Sequence, residues 1–177
     1  QAGQFWSGVQ NLAADAVQPI SVTTGGGSFT LNVLKSSDTA LTGVRCYAFL
    51  EGGSPYLGLH GVTNDDGDVV FGLADGNYQF RIDYLGVQYW TEVISAPATL
   101  ELSQMIAHQD VSISVEGQMA ADIKQISDVT VYLFSPTDSY LRLQEKTDQN
   151  GMVTFNLPQE PFKVRVDYLG QQFWSDE

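Results

Sequence analysis

The chain has 177 residues, of which 43% are hydrophobic, and its 21 acidic and 8 basic side chains give a formal net charge of −13. This composition is typical of a globular protein. The acidic balance argues against nucleic acid as a partner, because phosphate binding needs a basic surface. No apolar run approaches the ~18 residues that a membrane-spanning helix needs, so we predict no membrane insertion.

From the N-terminus onward, every strong pattern alternates apolar and polar residues, which is typical of half-buried β-strands. The runs in the first half are Phe29–Val33, Val44–Leu50, Tyr56–Leu59, Val69–Leu73 and Tyr78–Leu85, and those in the second half are Val111–Val115, Val129–Phe134, Tyr140–Leu143, Met152–Leu157 and Phe162–Leu169. Turn signals rich in glycine, proline, asparagine and aspartate separate these runs. Short strands without a long amphipathic helical pattern predict an all-β fold of antiparallel β-sandwiches.

An internal repeat divides these strands into two sets. The phrase from Asp83 to Trp90 recurs, with small changes, from Asp167 to Trp174, and Gln4-Phe5-Trp6 matches its last part. The three tryptophans are separated by equal steps of 84 residues, from 6 to 90 and from 90 to 174. A fixed period of this kind predicts tandem structural units.

The repeat also predicts domain boundaries. We expect residues 1–17 to be the tail of a preceding repeat or a linker, residues 18–96 to form the first β-sandwich and residues 97–177 the second. The segment Gln4–Val9 then lacks its own hairpin partner. Because a lone apolar strand seeks a sheet edge, we expect it to dock on the first sandwich or to be exchanged between chains.

The repeated phrase is expected to form a β-hairpin. A two-residue turn at Gly86-Val87 places Asp83 opposite Trp90 and Arg81 opposite Glu92. The outer face of the two hairpins then carries a hairpin patch, which consists of Arg81, Asp83, Trp90 and Glu92 in the first repeat and Arg165, Asp167, Trp174 and Asp176 in the second.

Two interpretations of the hairpin patch stay open. An arginine beside a tryptophan favours cation–π packing worth ~0.5–1 kcal/mol, which stiffens the hairpin. A flat tryptophan face also suits a sugar-stacking or protein-docking platform. A different turn length directs Trp90 inward and leaves it only a core role.

A cluster of acidic residues predicts either a turn or a calcium site. Asp65, Asp66 and Asp68 surround Gly67, and Asp66-Gly67 is a common turn dipeptide. Carboxylate oxygens are also the ligands that calcium prefers. The matching loop, 147–152, keeps the turn but loses two of the acids, so a calcium site belongs to one repeat only.

Residues that could support catalysis or zinc binding are sparse. His60 and His108 occupy unmatched positions without a second histidine at ligand spacing. No arrangement of serine, histidine and aspartate is recognisable. The single cysteine, Cys46, lies in an alternating run and is expected to be a buried apolar residue rather than a nucleophile. We therefore expect a non-enzymatic protein.

Two stretches of the first repeat and one of the second resemble Cna-B-like and carboxypeptidase-regulatory-like (transthyretin-like) domains. The residues that carry the resemblance are Leu31–Asp38, Leu41–Phe49, Thr63–Leu73 and Gly76–Arg81 in the first repeat, and Thr147–Leu157 followed by Pro161-Phe162 in the second. The resemblance implies two tandem immunoglobulin-like antiparallel β-sandwiches of about seven strands each. It also implies tandem repeats of bacterial surface and secreted proteins.

The expected function follows from the period and from this resemblance. We expect a non-enzymatic tandem repeat segment of a large extracellular or cell-surface protein, acting as a stalk or adhesion module. Neighbouring repeats of the same chain are the expected partners, with another protein or a glycan as further candidates. The alternative is a calcium- or carbohydrate-binding β-sandwich module.

Overall fold

A computed structural model describes residues 4–9, 19–119 and 122–175 of the chain. Within these ranges every regular element is a β-strand and none is an α-helix, so the predicted all-β class is confirmed. The same residues contain no helix that is long and apolar enough to cross a membrane. Apart from the turn residues 85–87, which are grouped with the second unit, the chain divides between Met105 and Ile106 into two compact units.

The first unit is a sandwich of two sheets. Its strands are β1 (Gly27–Ser36), β2 (Thr39–Ala40), β3 (Arg45–Leu50), β4 (Tyr56–Val62), β5 (Asp68–Leu73), β6 (Gly76–Tyr84), β7 (Val87–Trp90), β8 (Ile94–Ala96) and β9 (Glu101–Met105). One sheet has the order β2-β1-β5 with β9 also beside β1, and the other has the order β4-β3-β6-β7 with β8 also beside β6. All these pairings are antiparallel except the pairing of β9 with β1.

Aromatic rings join the two sheets of the first unit. The Phe29 ring on β1 stacks on the Phe80 ring on β6 with a centroid distance of 4.8 Å. Phe71 on β5 packs against the same ring at 5.0 Å. The inward residues of the predicted alternating runs therefore form the core, as sheet-on-sheet packing requires.

The second unit uses the same kinds of strand. They are β10 (His108–Ser114), β11 (Glu116–Met119), β12 (Asp122–Gln125), β13 (Thr130–Phe134), β14 (Tyr140–Lys146), β15 (Met152–Pro158), β16 (Lys163–Tyr168) and β17 (Gln171–Trp174). β10 pairs with β15, β11 pairs with β12, and the four-stranded sheet has the order β14-β13-β16-β17. The buried core residues are Val115, Val129, Val131, Leu133, Val153, Phe155, Leu157 and Val166.

A buried threonine recurs at the same place in both units. The Thr63 hydroxyl accepts a hydrogen bond from Val44 N at 2.9 Å. The Thr147 hydroxyl accepts one from Val129 N at 3.1 Å. Because each hydroxyl also donates to a backbone carbonyl, neither buried threonine is left unsatisfied. This explains why the same turn motif opens with threonine in both repeats.

Residues near both ends of the first unit contact its sheets. β8 and β9 lie on either side of the expected boundary between residues 96 and 97, yet both pair with strands of the first unit. The contacts therefore divide the chain after β9. At the other end, residues 4–9 form no strand, and Phe5 lines a groove of the first unit with Leu57 and Tyr78.

Candidate functional site

The outer face of the sheet β4-β3-β6-β7 carries a partly buried ion pair. Arg81 and Asp83 lie two residues apart on β6, so their side chains share one face. Arg81 Nε lies 2.8 Å from Asp83 Oδ1 as an ion pair, and Arg81 Nη2 donates a hydrogen bond to Asp83 Oδ2 at 3.1 Å. The two side chains are 23% and 33% exposed, which limits screening by solvent.

Aromatic rings surround this arginine. The Arg81 guanidinium carbon lies 4.5 Å from the centre of the Tyr47 ring and 5.6 Å from that of Phe49, both on β3. Trp90 and Tyr56 both pack on Phe49, with ring centroids at 4.9 and 5.3 Å. Such contacts are cation–π and aromatic pairs at favourable separations.

The second unit builds the same arrangement. Arg165 Nε lies 2.9 Å from Asp167 Oδ1, and the guanidinium carbon lies 4.7, 5.1 and 5.7 Å from the ring centres of Tyr132, Phe134 and Trp174. The distances from the arginine to the aspartate, tyrosine and phenylalanine each differ between the two units by at most 0.5 Å. We call the two sets the Arg–aromatic clusters, which consist of Tyr47, Phe49, Tyr56, Arg81, Asp83 and Trp90 in the first unit and Tyr132, Phe134, Tyr140, Arg165, Asp167 and Trp174 in the second.

The register of the hairpins corrects the expected one. Arg165 lies opposite Trp174 and Asp167 opposite Gln172, whereas the expected turn paired Asp167 with Trp174. The turn residues are Leu169 and Gly170, with φ of 50° and 78°, so the turn lies one residue earlier than expected. Two consecutive residues with positive φ are the signature of a type I′ turn.

The first hairpin has the same turn, and the outward face is retained in both. Leu85 and Gly86 have φ of 46° and 79°, and β7 begins at Val87. Because moving the turn by one residue shifts the cross-strand partner by two, the face of each side chain does not change. Trp90 and Trp174 therefore remain on the outer face, with exposed fractions of 39% and 46%.

The remaining residues of the predicted patch lie at its margin. Glu92 is exposed beyond the end of β7. Asp176, its expected counterpart, lies outside the described residues. The sequence interpretation missed the four aromatic residues Tyr47, Tyr56, Tyr132 and Tyr140 and their phenylalanine neighbours. Their signal is the recurrence of Tyr-x-Phe on equivalent strands, since alternate residues share one face.

The hydroxyl of one cluster tyrosine, Tyr56 or Tyr140, has a different hydrogen-bond partner in each unit. The Tyr56 hydroxyl lies 3.2 Å from His60 Nδ1, whereas the Tyr140 hydroxyl donates to Gln144 Oε1 at 2.9 Å. His60 and Gln144 are therefore equivalent partners of a tyrosine. This places His60 in the margin of the aromatic face rather than in a set of metal ligands.

The acidic loop after β4 is built as a turn. Asn64 Oδ1 accepts hydrogen bonds from Asp66 N at 3.0 Å and Asp68 N at 2.8 Å. Asp68 Oδ1 accepts one from Asn32 Nδ2 at 2.7 Å, while Asp65 and Asp66 are exposed. The described residues contain no group of three or more His, Cys, Asp or Glu side chains placed to hold a metal ion.

The second unit repeats this turn with another residue. Asp148 Oδ1 accepts hydrogen bonds from Met152 N at 2.9 Å and Asn150 N at 2.8 Å. The hydrogen bond from Met152, the larger cause, holds the pKa of the Asp148 carboxyl below its ordinary value together with the one from Asn150. The side-chain oxygen at this position therefore shapes the turn in both units. Calcium binding by Asp65, Asp66 and Asp68 stays the untested alternative to a plain turn.

Cys46 is buried in the core of the first unit, as predicted. Burial, and to a lesser degree the negative charge of Asp83, raise the pKa of the thiol to about 12. The thiol is therefore protonated at neutral pH and is a poor nucleophile. Its counterpart in the second unit is the fully buried Val131, which confirms that this position packs as a small apolar residue.

Comparison with known proteins supports the fold. No family model matches the chain, and no curated protein matches it significantly. The chain is similar to the minor pilin GBS52 of Streptococcus agalactiae, with 13% identity over 84% of this chain and 89% of that one and a TM-score of 0.50. At this identity the likeness shows the β-sandwich fold alone.

Two further solved structures are similar at lower TM-scores. The TIE protein of Bacillus anthracis has 14% identity over 86% of this chain and a TM-score of 0.42, and this chain spans 31% of its length. A DUF3823 family protein of Parabacteroides merdae has 12% identity over 86% of this chain and 96% of that one, with a TM-score of 0.41.

Proposed function

We propose that the chain is a non-enzymatic segment of an extracellular or cell-surface protein, in which tandem β-sandwich repeats act as a stalk or adhesion module. The observation that carries the proposal is the Arg–aromatic cluster, which both units build from the same residue types. A part that recurs with a period of 84 residues belongs to the repeated framework rather than to one reaction centre.

The chemistry of the cluster suits a structural role. Asp83 directs both carboxylate oxygens to Arg81, and Asp167 does the same with Arg165. A carboxylate held in this way is a poor general base, because proton transfer first requires the ion pair to open. Aromatic rings also pack against both guanidinium groups. Each cluster therefore stiffens the outer face of its sheet.

The likeness to a minor pilin supports a framework role of this kind. Under the proposal, neighbouring repeats of the same chain are the first partners, and another protein or a glycan would bind the exposed surfaces.

Mechanical unfolding of the full chain tests the proposal. In single-molecule pulling between the two ends, we expect separate unfolding events for the two units. Arg81→Ala and Arg165→Ala should each lower the unfolding force of the unit that carries the substitution, since forced unfolding reports the unfolding rate. Arg45→Ala is the matched control, because Arg45 is exposed on β3 of the same sheet. Unchanged forces, or specific hydrolytic turnover that depends on a defined pair of acids, would contradict the proposal.

Carbohydrate binding is a second candidate function. Trp90 and Trp174 keep about two fifths of their surface exposed, next to the exposed Tyr56 and Tyr140. Flat aromatic faces of this kind suit stacking of sugar rings. A glycan array with the full chain tests the idea, and Trp90→Ala with Trp174→Ala should abolish any signal. Trp6→Ala serves as the control, since Trp6 is also exposed but lies outside both clusters.

A further inference from the structure

The sheet that carries each Arg–aromatic cluster has a β-bulge in its edge strand. The register of β4 on β3 shifts between Tyr56 and His60, and that of β14 on β13 shifts at the equivalent place. The middle residue of the shifted stretch has a positive φ in both units, 75° at Gly58 and 63° at Arg142. The two units therefore share an unusual backbone conformation but place different residues in it.

Arg142 is strained at this position, whereas Gly58 is not. A side chain in the left-handed region crowds its own backbone, and glycine adopts the conformation freely. A Cβ built on Gly58 meets no atom within 4 Å, so a side chain at this place of the fold extends into open space. Arg142 is indeed exposed. Because strained residues cluster at binding and active sites, the arginine points to a role for its side chain.

The neighbours of Arg142 fix the face on which it lies. Leu141 and Leu143 pack against the core of the second unit, so the residue between them faces away from the core. On that outer face the Tyr140 hydroxyl donates to Gln144 Oε1 at 2.9 Å, and this hydrogen bond spans the bulge. Arg142 therefore lies on the same face as the Arg–aromatic cluster, flanked along β14 by a tyrosine ring and an amide.

Basic side chains are concentrated on this sheet of the second unit. Of the 8 lysine and arginine residues of the chain, two lie on β14 and two on β16. Lys146, Lys163 and Arg165 are each paired with an aspartate. Arg142, by contrast, has no hydrogen bond or ion pair with any residue that the structure describes. An unpaired guanidinium on the surface of a chain with a net charge of −13 is a local attraction for an anionic ligand.

We propose that the bulge of β14 binds the carboxylate of a uronic acid, so that the aromatic face of the second unit takes an acidic glycan. This inference rests on the carbohydrate-binding candidate above. The Arg142 guanidinium matches a planar carboxylate with two parallel N–H···O bonds. The sugar ring stacks on Tyr140 or Trp174, whose side chains are 42% and 46% exposed. The Gln144 amide nitrogen is a further donor for a sugar hydroxyl.

The charges on the sheet favour an acidic glycan over an acidic protein. A densely charged partner needs several unpaired cations, and the three other basic side chains of this sheet are already neutralised by aspartates. One free guanidinium beside flat rings and an amide instead suits a ligand with one carboxylate on each sugar ring. In the first unit Gly58 supplies no charge, so the preference for uronate belongs to the second unit.

The test compares a glycan with its own uncharged form. An array of uronate oligosaccharides is probed with the full chain, and calorimetry then measures the Kd of the best ligand and of the same oligosaccharide after its carboxyl groups have been reduced to alcohols. We expect the reduced form to bind at least about tenfold more weakly, which is the effect of losing one charge-assisted contact.

Arg142→Gly, which installs the residue of the first unit, is the decisive variant. It should weaken uronate binding by about tenfold and leave the Kd of the reduced oligosaccharide unchanged. Its melting temperature should not fall, because glycine adopts this φ without strain, so loss of folding cannot explain loss of binding. Lys146→Gln is the matched control: it removes one charge from the same strand at a side chain already paired with Asp128, and it should retain the affinity.

The outcomes separate this proposal from the function on which it rests. Binding of neutral glycans without preference for uronates would overturn the proposal and leave the carbohydrate candidate standing, whereas an array without any bound glycan would overturn both. Undiminished uronate binding by Arg142→Gly, or an equal loss in Lys146→Gln, would also overturn it. So would complete displacement of the glycan by poly-L-glutamate at the same carboxylate concentration, since the site would then recognise charge without sugar.

Discussion

Within the described residues, the two units share a strand pattern but differ in how completely their sheets are covered. In the first unit, β8 and β9 return to cover β1 and β6, and the core residues Leu31 and Phe80 are fully buried. In the second, the counterparts Ile113 and Val164 line an open groove. Burial of a residue therefore depends on strands elsewhere in the chain as much as on the alternation in its own strand.

The largest expected effect compares two equivalent core residues. Leu31→Ala should destabilise the first unit by about 2–5 kcal/mol, because it leaves a cavity in a closed core. Ile113→Ala should cost the second unit only about 1 kcal/mol, because its site is already partly open to water. Denaturant unfolding monitored by hydrogen exchange in each unit measures both losses. Equal losses in the two units would contradict this explanation.

The pH dependence of stability should also distinguish the units. Above pH 9, the unfolded chain releases the Cys46 proton while the folded first unit retains it up to about pH 12. The folded state then binds more protons, so its free energy of unfolding falls as pH rises, by about 1.4 kcal/mol per pH unit. Burial raises the pKa of Tyr78 and Tyr84, which adds a loss of the same sign.

Cys46→Val is the matched control for this pH effect, because valine occupies the equivalent position 131. Denaturant titrations between pH 8 and pH 11 should show a steeper decline for the first unit of the original chain than for that of the variant. Identical slopes in the two proteins would show that the thiol does not contribute.

The Arg–aromatic clusters should respond equally in the two units. Arg81→Ala and Arg165→Ala should each cost about 1–2 kcal/mol, which combines cation–π contacts with a partly buried ion pair. The corresponding lysine variants should recover only part of the loss, since lysine cannot form the two-point contact with aspartate. Thermal unfolding of each unit gives the comparison. A large effect in one unit alone would mean that the clusters are not equivalent.

Much of this fold could be predicted from local sequence. The alternation in Phe29–Val33 and Val111–Val115 indicated strands and their inward faces, because side chains in a strand have a period of two. The same rule placed Trp90 and Trp174 on the outer face. Features that depend on a single strand were therefore accessible without a structure.

Features that depend on which strands meet could not be predicted in this way. The parallel pairing of Leu31 with Leu102 joins residues far apart in the chain, and nothing in either strand specifies that partner. The hairpin register was missed because leucine is an uncommon residue at positive φ, so Leu169 was not recognised as a turn residue. The aromatic residues of β3 come to lie against Arg81 only once β3 pairs with β6.

A smaller effect is expected at the strained turn of the second hairpin. Leu169 has a φ of 50° and is 83% exposed. Leu169→Asn should stabilise the second unit by about 0.5–1 kcal/mol, because asparagine tolerates this conformation and little apolar burial is lost. Gly170→Ala is the opposing control, since φ of 78° strains any side chain even though the space around it is open. Thermal unfolding should show opposite shifts for the two variants.

The smallest expected effect concerns calcium. Asp68 already accepts a hydrogen bond from Asn32, and the Asn64 side-chain oxygen already accepts one from the backbone of the turn. We therefore expect millimolar calcium to leave the melting temperature of the first unit unchanged. A scan with calcium and with EDTA measures this, because a ligand that binds only the folded state raises its stability. A rise that Asp65→Asn with Asp66→Asn removes would instead establish the calcium-binding alternative.

The clusters also give β3 apolar side chains on both of its faces. Cys46 and Ala48 enter the core, while Tyr47 and Phe49 pack on the outside beneath the arginine. A strand of this kind, with no proline and little charge, is prone to aggregate when it is exposed in a partly unfolded chain. Arg81 covers these rings only after β6 has paired, so the order in which the strands assemble governs how long this segment is open to other chains during refolding.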